Sequence, residues 1–221
     1  MLTRIDHVMI CVPHLAEGIE TYTRIGFDVK PGGVHTTGGT ENAIAFFQDD
    51  YLELLGVRAG DENSAGHALL DFLARGGGLR YIALQSDDLG ADVVAMRGRG
   101  IAVTDVAKAA ETYARVLGMP VPRVQRGAVI KADMAVFDLG PTGLTVAQQM
   151  EPGPAAEALA RRGPGPFQAL YKTRSMDAAA RWMADHGMPP PARGIRNTGE
   201  QAMLVEPKDA CGVYVGLFGP A

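Results

Sequence analysis

Cysteine is scarce in this chain, with two in 221 residues. Cys11 and Cys211 cannot build a disulfide framework, and no C-x-x-C pair is present to make a zinc knuckle. An excess of positive charge is also missing. Lys and Arg number 21 against 25 Asp and Glu, a net charge of −4, which leaves no basic footprint for nucleic acid or for an acidic membrane surface. No run of about 18 apolar residues or more is found, so neither a signal peptide nor a membrane span is expected. A reducing cytoplasm is the default compartment. No GxGxxG, Walker loop or GxSxG elbow occurs. What is present is ordinary for a globular protein: 47% hydrophobic and 21% charged residues, enough apolar material for a sizeable core and too much for a disordered chain. Glycine (28) and proline (14) are spread as turn punctuation and form no low-complexity tract.

The chain resembles itself. Four segments read as a short apolar strand, a turn and an amphipathic helix. The helix faces carry Leu15/Ile19/Tyr22, Leu89/Val93/Met96, Val106/Ala110/Tyr113 and Met176/Ala180/Met183. Each set has the i, i+4, i+7 spacing of one helix face. Gly26, Gly100 and Gly187 stand where left-handed caps are expected, and the other helix runs into Gly118. An E-T-Y-x-R core begins at Glu20 and again at Glu111, 91 residues on. Ile10–Val12 answers Ile101–Val103 and Ala43–Phe47 answers Met134–Asp138 at the same offset. A repeat of this kind predicts a duplicated architecture, with a first half over 1–100 and a second over 101–221.

After the first helix, strands are expected over 28–34, 42–48 and 51–57, the last two joined by a tight turn at Asp49-Asp50. A helix follows near His67–Arg75, closed by Gly76-Gly77-Gly78. The second unit runs directly into the third, its own three strands missing or shared. Residues 151–166 read as a short helix between Pro and Gly breaks. The last unit repeats strand, helix and three strands, ending in a hairpin over 207–212.

Strand alternation decides which side chains share a face. On the first strand Val8, Ile10 and Val12 suit the following helix, which sends His7, Met9 and Cys11 to the other side. On the strand YLELLGV, Glu53 shares a face with Tyr51 and Leu55. A carboxylate inside such an apolar run is costly to bury without a cation or a donor. An imidazole and a carboxylate on one side of one small sheet are suitable ligands for a divalent metal, or a buried hydrogen-bonded pair.

The segment from Ile5 to Val57, with its IDHV start and YLEL strand, resembles the opening of the glyoxalase-like branch of the vicinal oxygen chelate superfamily. The resemblance weakens beyond Gly100. It implies an α+β fold of repeated βαβββ modules, forming cupped, open mixed sheets with helices on their outer faces. It places metal-ligand positions on His7 and Glu53, with Glu53 also a candidate acid or base. His35, in an H…GT.N motif with Gly39, Thr40 and Asn42, becomes a third ligand or a donor to a substrate oxygen, or else a polar loop residue satisfied by backbone amides. Thr40 and Asn42 bind substrate or support the glycine-rich turn.

The chain departs from the family pattern elsewhere. Where other units would add ligands, this sequence has Tyr81, Gly98, Phe167, Thr145 and Gly216. The missing ligands would then be water, the substrate or a side chain of a second subunit in a homodimer. Tyr81 and Phe167 instead suit stacking on a flat ligand. Lys172, Arg174 and Arg80 are read either as solvated surface or as partners of an anionic substrate.

Three functions follow from the resemblance. The first is metal-dependent isomerase or lyase chemistry on a small oxygenated substrate, through a stabilised oxyanion. The second is metal-free small-molecule sequestration of the bleomycin-resistance type. The third is an iron-dependent extradiol-type dioxygenase, which needs a second histidine and would have to find it in His35.

Overall fold

The computed structural model describes residues 2–35, 39–58, 64–87, 105–196 and 198–220. It is a mixed α+β chain, and the strands among the described residues lie in open sheets of five, four and three strands. Two compact units are distinguished, one of Met1–Asp6 with Ala83–Gly165 and one of His7–Ile82 with Pro166–Ala221. The expected second helix, with Leu89, Val93 and Met96, lies outside the described residues, as do Gly98, Gly100 and Ile101–Val103. No helix among the described residues is long and apolar enough to cross a membrane.

The second of these units carries the site. It begins in β1 (Leu2–Cys11), continues through α1 (Leu15–Ile25) and forms the meander β2 (Lys30–His35), β3 (Thr40–Phe46) and β4 (Tyr51–Val57). Helix α2 (Ser64–Ala74) leads to β5 (Gly78–Ser86), and the five strands lie in the order β2-β3-β4-β1-β5. Helix α1 ends where Gly26 takes a φ of 113° and returns its N–H to the carbonyls of Tyr22 and Thr23, the cap expected of this glycine. The even-numbered face of β1 is buried as its alternation requires. Ile10 and Val12, with Leu52 and Leu54 of β4, form a core with Tyr22 and Ile25 of α1. Each such buried aliphatic side chain contributes about 1.5–3 kcal/mol.

That core also takes in the chain's last elements. After β9 (Gln168–Lys172), a helix over Met176–Asp185 precedes β10 (Ala192–Ile195), β11 (Gln201–Val205) and β12 (Tyr214–Gly219), in the sheet order β10-β11-β12-β9. Met176 and Met183 of the helix and Met203, Val215 and Leu217 of the sheet complete the cluster. The Tyr22 hydroxyl donates to the Ala210 carbonyl at 3.3 Å.

Helix α2 packs on the opposite face of the five-stranded sheet. Leu69 and Leu73 form a smaller cluster with Cys11 and Leu55, and Met9, Val57 and Phe72 lean on it. The chain leaves α2 through Gly76, Gly77 and Gly78, all at positive φ. A Cβ on Gly77 would sit 2.7 Å from the Cys11 carbonyl oxygen, so the close return of the chain onto β1 depends on glycine here.

In the other unit, α3 (Val106–Leu117) is capped by the Asp105 side chain, which accepts from the N–H groups of Ala107 and Lys108. Its Ala109, Ala110, Ala114 and Leu117 pack on Phe137, Ala135 and Val146 of the sheet β6 (Gln125–Gly127), β7 (Ala132–Leu139), β8 (Thr142–Gln149). The short helix expected over 151–166 is α4 (Pro154–Arg162), so the Met176–Asp185 helix is α5. Three-stranded meanders thus follow α1, α3 and α5.

Candidate functional site

Cross-strand register builds the site in rungs. Phe46 of β3, Tyr51 of β4 and His7 of β1 stand side by side, and the next rung is Ile44, Glu53 and Met9. The following rung is Asn42, Leu55 and Cys11. Paired residues share a face, so Glu53 stands between His7 on one diagonal and Asn42 on the other. The alternation read from the sequence holds: His7, Met9, Cys11, Tyr51, Glu53 and Leu55 are on one side, away from α1.

Glu53 is 6% exposed, and a carboxylate so buried must be compensated. Asn42 Nδ2 donates to its Oε1 at 2.7 Å. His7 Nε2 lies 3.6 Å from its Oε2, beyond hydrogen-bond length. The His7 ring is held flat against Tyr51, with centroids 4.4 Å apart, and Tyr51 in turn meets Phe46 at 5.9 Å. Phe46 is 69% exposed, so the aromatic rung runs from the buried acid out to open surface. At the opposite end α2 closes the face over Cys11 and Leu55, and burial raises the Cys11 thiol to about 12.

Asn42 is itself oriented. Its Oδ1 accepts from the Gly33 N–H at 2.8 Å, at the place where the pairing of β2 with β3 shifts register between Pro31 and Val34. A Cβ on Gly32 would overlap that same oxygen. The Pro-Gly-Gly bulge therefore makes room for one carboxamide and turns it toward Glu53. Sequence reading named Asn42 and passed over Gly32 and Gly33; two consecutive glycines inside a strand were the available signal.

The remaining candidates are placed as follows. His35 is exposed, and its Nδ1 is 2.8 Å from the hydroxyl of buried Thr40. Its rung, His35 and Thr40 beside Val57, lies four residues along β4 from Glu53, roughly 13 Å at strand spacing. That offset keeps it from His7 and Glu53, and among the described residues no group of three His, Cys, Asp or Glu side chains gathers to hold a metal. Tyr81 is 50% exposed on β5, where its hydroxyl accepts from Arg80 Nε at 2.8 Å. Phe167 meets Tyr214 edge-on at 6.3 Å. Neither ring makes a hydrogen bond or ring contact with His7 or Glu53. Thr145 is exposed on β8. Gly216 on β12 pairs with Leu170 of β9, and a Cβ at 216 would collide with the Leu170 side chain. The Leu170 side chain is itself half-exposed.

Two family models match the sequence: a glyoxalase-like domain over residues 5–107 and the glyoxalase/bleomycin resistance protein/dioxygenase superfamily over residues 99–204. The chain belongs to this superfamily. Among solved structures, a triple mutant of 4-hydroxymandelate synthase from Streptomyces coelicolor is similar with a TM-score of 0.72 at 13% identity, covering 100% of this chain and 93% of that one. A xylose isomerase-like TIM barrel/4-hydroxyphenylpyruvate dioxygenase fusion protein gives 0.63 at 11% identity, over 99% of this chain and 49% of that one. Methylmalonyl-CoA epimerase from Streptomyces coelicolor is 19% identical over 100% of this chain and 99% of that one, with a TM-score of 0.38. At these identities the first two show the fold alone, and the third carries no argument. No curated protein matches the sequence. The glyoxalase-like assignment accords with the open sheets and with the meanders that follow α1, α3 and α5.

Proposed function

We propose that this glyoxalase-like protein is a divalent-metal-dependent enzyme acting on a small oxygenated substrate by isomerase- or lyase-type chemistry. The observation that carries the reading is the 3.6 Å between His7 Nε2 and Glu53 Oε2. Two donors on one ion, with bonds of about 2.0–2.2 Å, stand roughly 3.0–3.5 Å apart. His7 Nε2 and Glu53 Oε2 would hold the ion, and the remaining positions fall to water and to adjacent oxygens of the substrate. The ion supplies positive charge to an oxygen on which negative charge develops.

The chain's own residues do the rest. Asn42 occupies the other carboxylate oxygen, so Oε2 is the one left facing His7. Tyr51 fixes the plane of the imidazole. The packing of α2 over Cys11 and Leu55 keeps water from one side of the carboxylate, which strengthens every charge interaction there. Ring cleavage with iron asks for a second histidine, and His35 is engaged with Thr40 on a distant rung, so non-redox chemistry ranks first. The halves 1–100 and 101–221 are proposed as the duplicated units, and a homodimer is the arrangement that would add ligands from a second copy.

One observation favours a second reading, a metal-free binding protein. With two donors and no third among the described residues, the open Phe46–Tyr51–His7 rung would serve as a stacking platform. Titration of untagged protein with Zn²⁺, Co²⁺ and Mn²⁺, followed by calorimetry and elemental analysis, separates the two. One ion per chain, lost in His7→Ala and Glu53→Gln, supports the enzyme. Wild-type protein that takes up none of these ions leaves the binding protein.

A further inference from the structure

We propose that Arg80 binds a carboxylate group of the ligand that occupies the Glu53 face, an inference that rests on reading that face as the ligand site. Leu79 is buried in the core beneath α1. Alternation along β5 therefore sends Arg80 to the opposite face, the one that carries Met9, Cys11 and Glu53. Its guanidinium lies 4.7 Å from the centroid of the Phe72 ring, and Phe72 belongs to the cluster of Met9, Cys11 and Leu55 on that same face. The buried Cys11 thiol feels both charges, the Arg80 cation favouring its ionisation and the Glu53 anion opposing it. Cation and acid thus stand around one buried residue.

The guanidinium is held in place without being neutralised. A second ring, that of Tyr81, lies 5.1 Å away, and its hydroxyl accepts from Nε at 2.8 Å. Ring contacts and one neutral hydrogen bond orient the plane. Among the described residues, no carboxylate pairs with it, and its two terminal amino groups have no hydrogen-bond acceptor. Arg126 and Arg196, by contrast, are spent on Asp133, Glu151 and Glu200. An arginine whose Nε is engaged keeps the edge formed by its two terminal nitrogens, and that edge matches both oxygens of a carboxylate. Strands β4 and β5 flank β1, so their columns stand about 10 Å apart. This is the scale of a small aromatic acid with one end at Arg80 and the other at Glu53.

The test is calorimetric titration of the full chain with benzoate, its neutral counterpart benzamide, and phenyl phosphate. Benzoate is expected to bind the wild type, with affinity lowered about tenfold or more in Arg80→Gln and less in Arg80→Lys, as loss of a charge-assisted pair requires. Benzamide should bind about tenfold more weakly than benzoate. Thermal melts establish that both variants are folded. Equal benzoate affinity in wild type and Arg80→Gln, equal affinity for benzamide and benzoate, or no benzoate binding by the wild type would each overturn the proposal. Arg80-dependent binding of phenyl phosphate in preference to benzoate would replace carboxylate by phosphate. Failure of metal uptake, with Arg80-dependent benzoate binding retained, would remove the enzymatic reading and leave this one standing.

Discussion

Asn42 is committed at both ends, its carboxamide oxygen to the Gly33 N–H and its nitrogen to Glu53. Only one orientation of the amide satisfies a backbone donor on one side and a carboxylate on the other. The bulge in β2 and the acid in β4 are thereby coupled through one side chain, and the position of Glu53 depends on the shape of a strand two places away in the sheet.

Replacing Asn42 tests this coupling. Asn42→Ala is expected to cost about 1–3 kcal/mol, since it strips a buried carboxylate of its donor. Asn42→Asp is expected to behave differently with pH. Two like charges at that distance repel, and the repulsion grows as both carboxylates ionise. Urea melts between pH 4 and 8 should show the gap between Asn42→Asp and wild type widening with pH, and a larger gap at pH 8 for Asn42→Asp than for Asn42→Ala.

Gly32 and Gly33 are adjacent and should not be equivalent. A methyl group on Gly32 overlaps the Asn42 oxygen, whereas one on Gly33 meets nothing within 4 Å. Gly32→Ala is expected to destabilise by about 1–3 kcal/mol and to weaken metal uptake with it. Gly33→Ala should do little to either. Parallel melts and metal titrations of the two variants decide the point.

The Cys11 thiol carries a stability signature at high pH. Burial raises it from 9.0 to about 12, so between those values the unfolded chain gives up a proton that the folded chain keeps. Folding therefore weakens as pH rises through this window, by about 1.4 kcal/mol per pH unit from this group alone. Tyr22, raised well above its usual value by burial, adds in the same direction at higher pH. Cys11→Ala should flatten the first part of the decline. Iodoacetamide at pH 8 should leave Cys11 of the folded protein unmodified and label it in urea, as read by peptide mass.

Two tyrosines with buried hydroxyls should respond in opposite senses to loss of that group. Tyr22 donates to Ala210, and Tyr22→Phe is expected to cost about 1 kcal/mol. The Tyr171 hydroxyl is buried without a hydrogen-bond partner among the described residues, packed near Phe27 and Phe47. Tyr171→Phe is expected to stabilise by about 1 kcal/mol. Thermal melts of the pair measure the contrast.

The parts of this site that strand alternation controls were legible in the sequence. His7 and Glu53 fell on one face because a period of two leaves no alternative once Val8, Ile10 and Val12 are given to the core. The cap at Gly26 was legible for a similar local reason. The function of Asn42 was not, because it needs the register of β2 against β3, and a bulge shifts that register by an amount no local propensity encodes. Placing α2 on the same face as Glu53 also escaped the sequence, since an apolar helix does not announce which side of a sheet it will cover. Tyr81 and Phe167 follow from the register between units, which does not tell whether a ring lies on an edge strand or packs on a neighbour such as Tyr214.

The leucine that occupies the ground beside Gly216 has an evolutionary corollary. A Cβ at 216 would meet the terminal carbon of Leu170, a side chain that is 46% exposed and able to turn toward solvent. An acid at 216 therefore asks for one rotation and no second substitution, which leaves the last module a single step from presenting a carboxylate on β12.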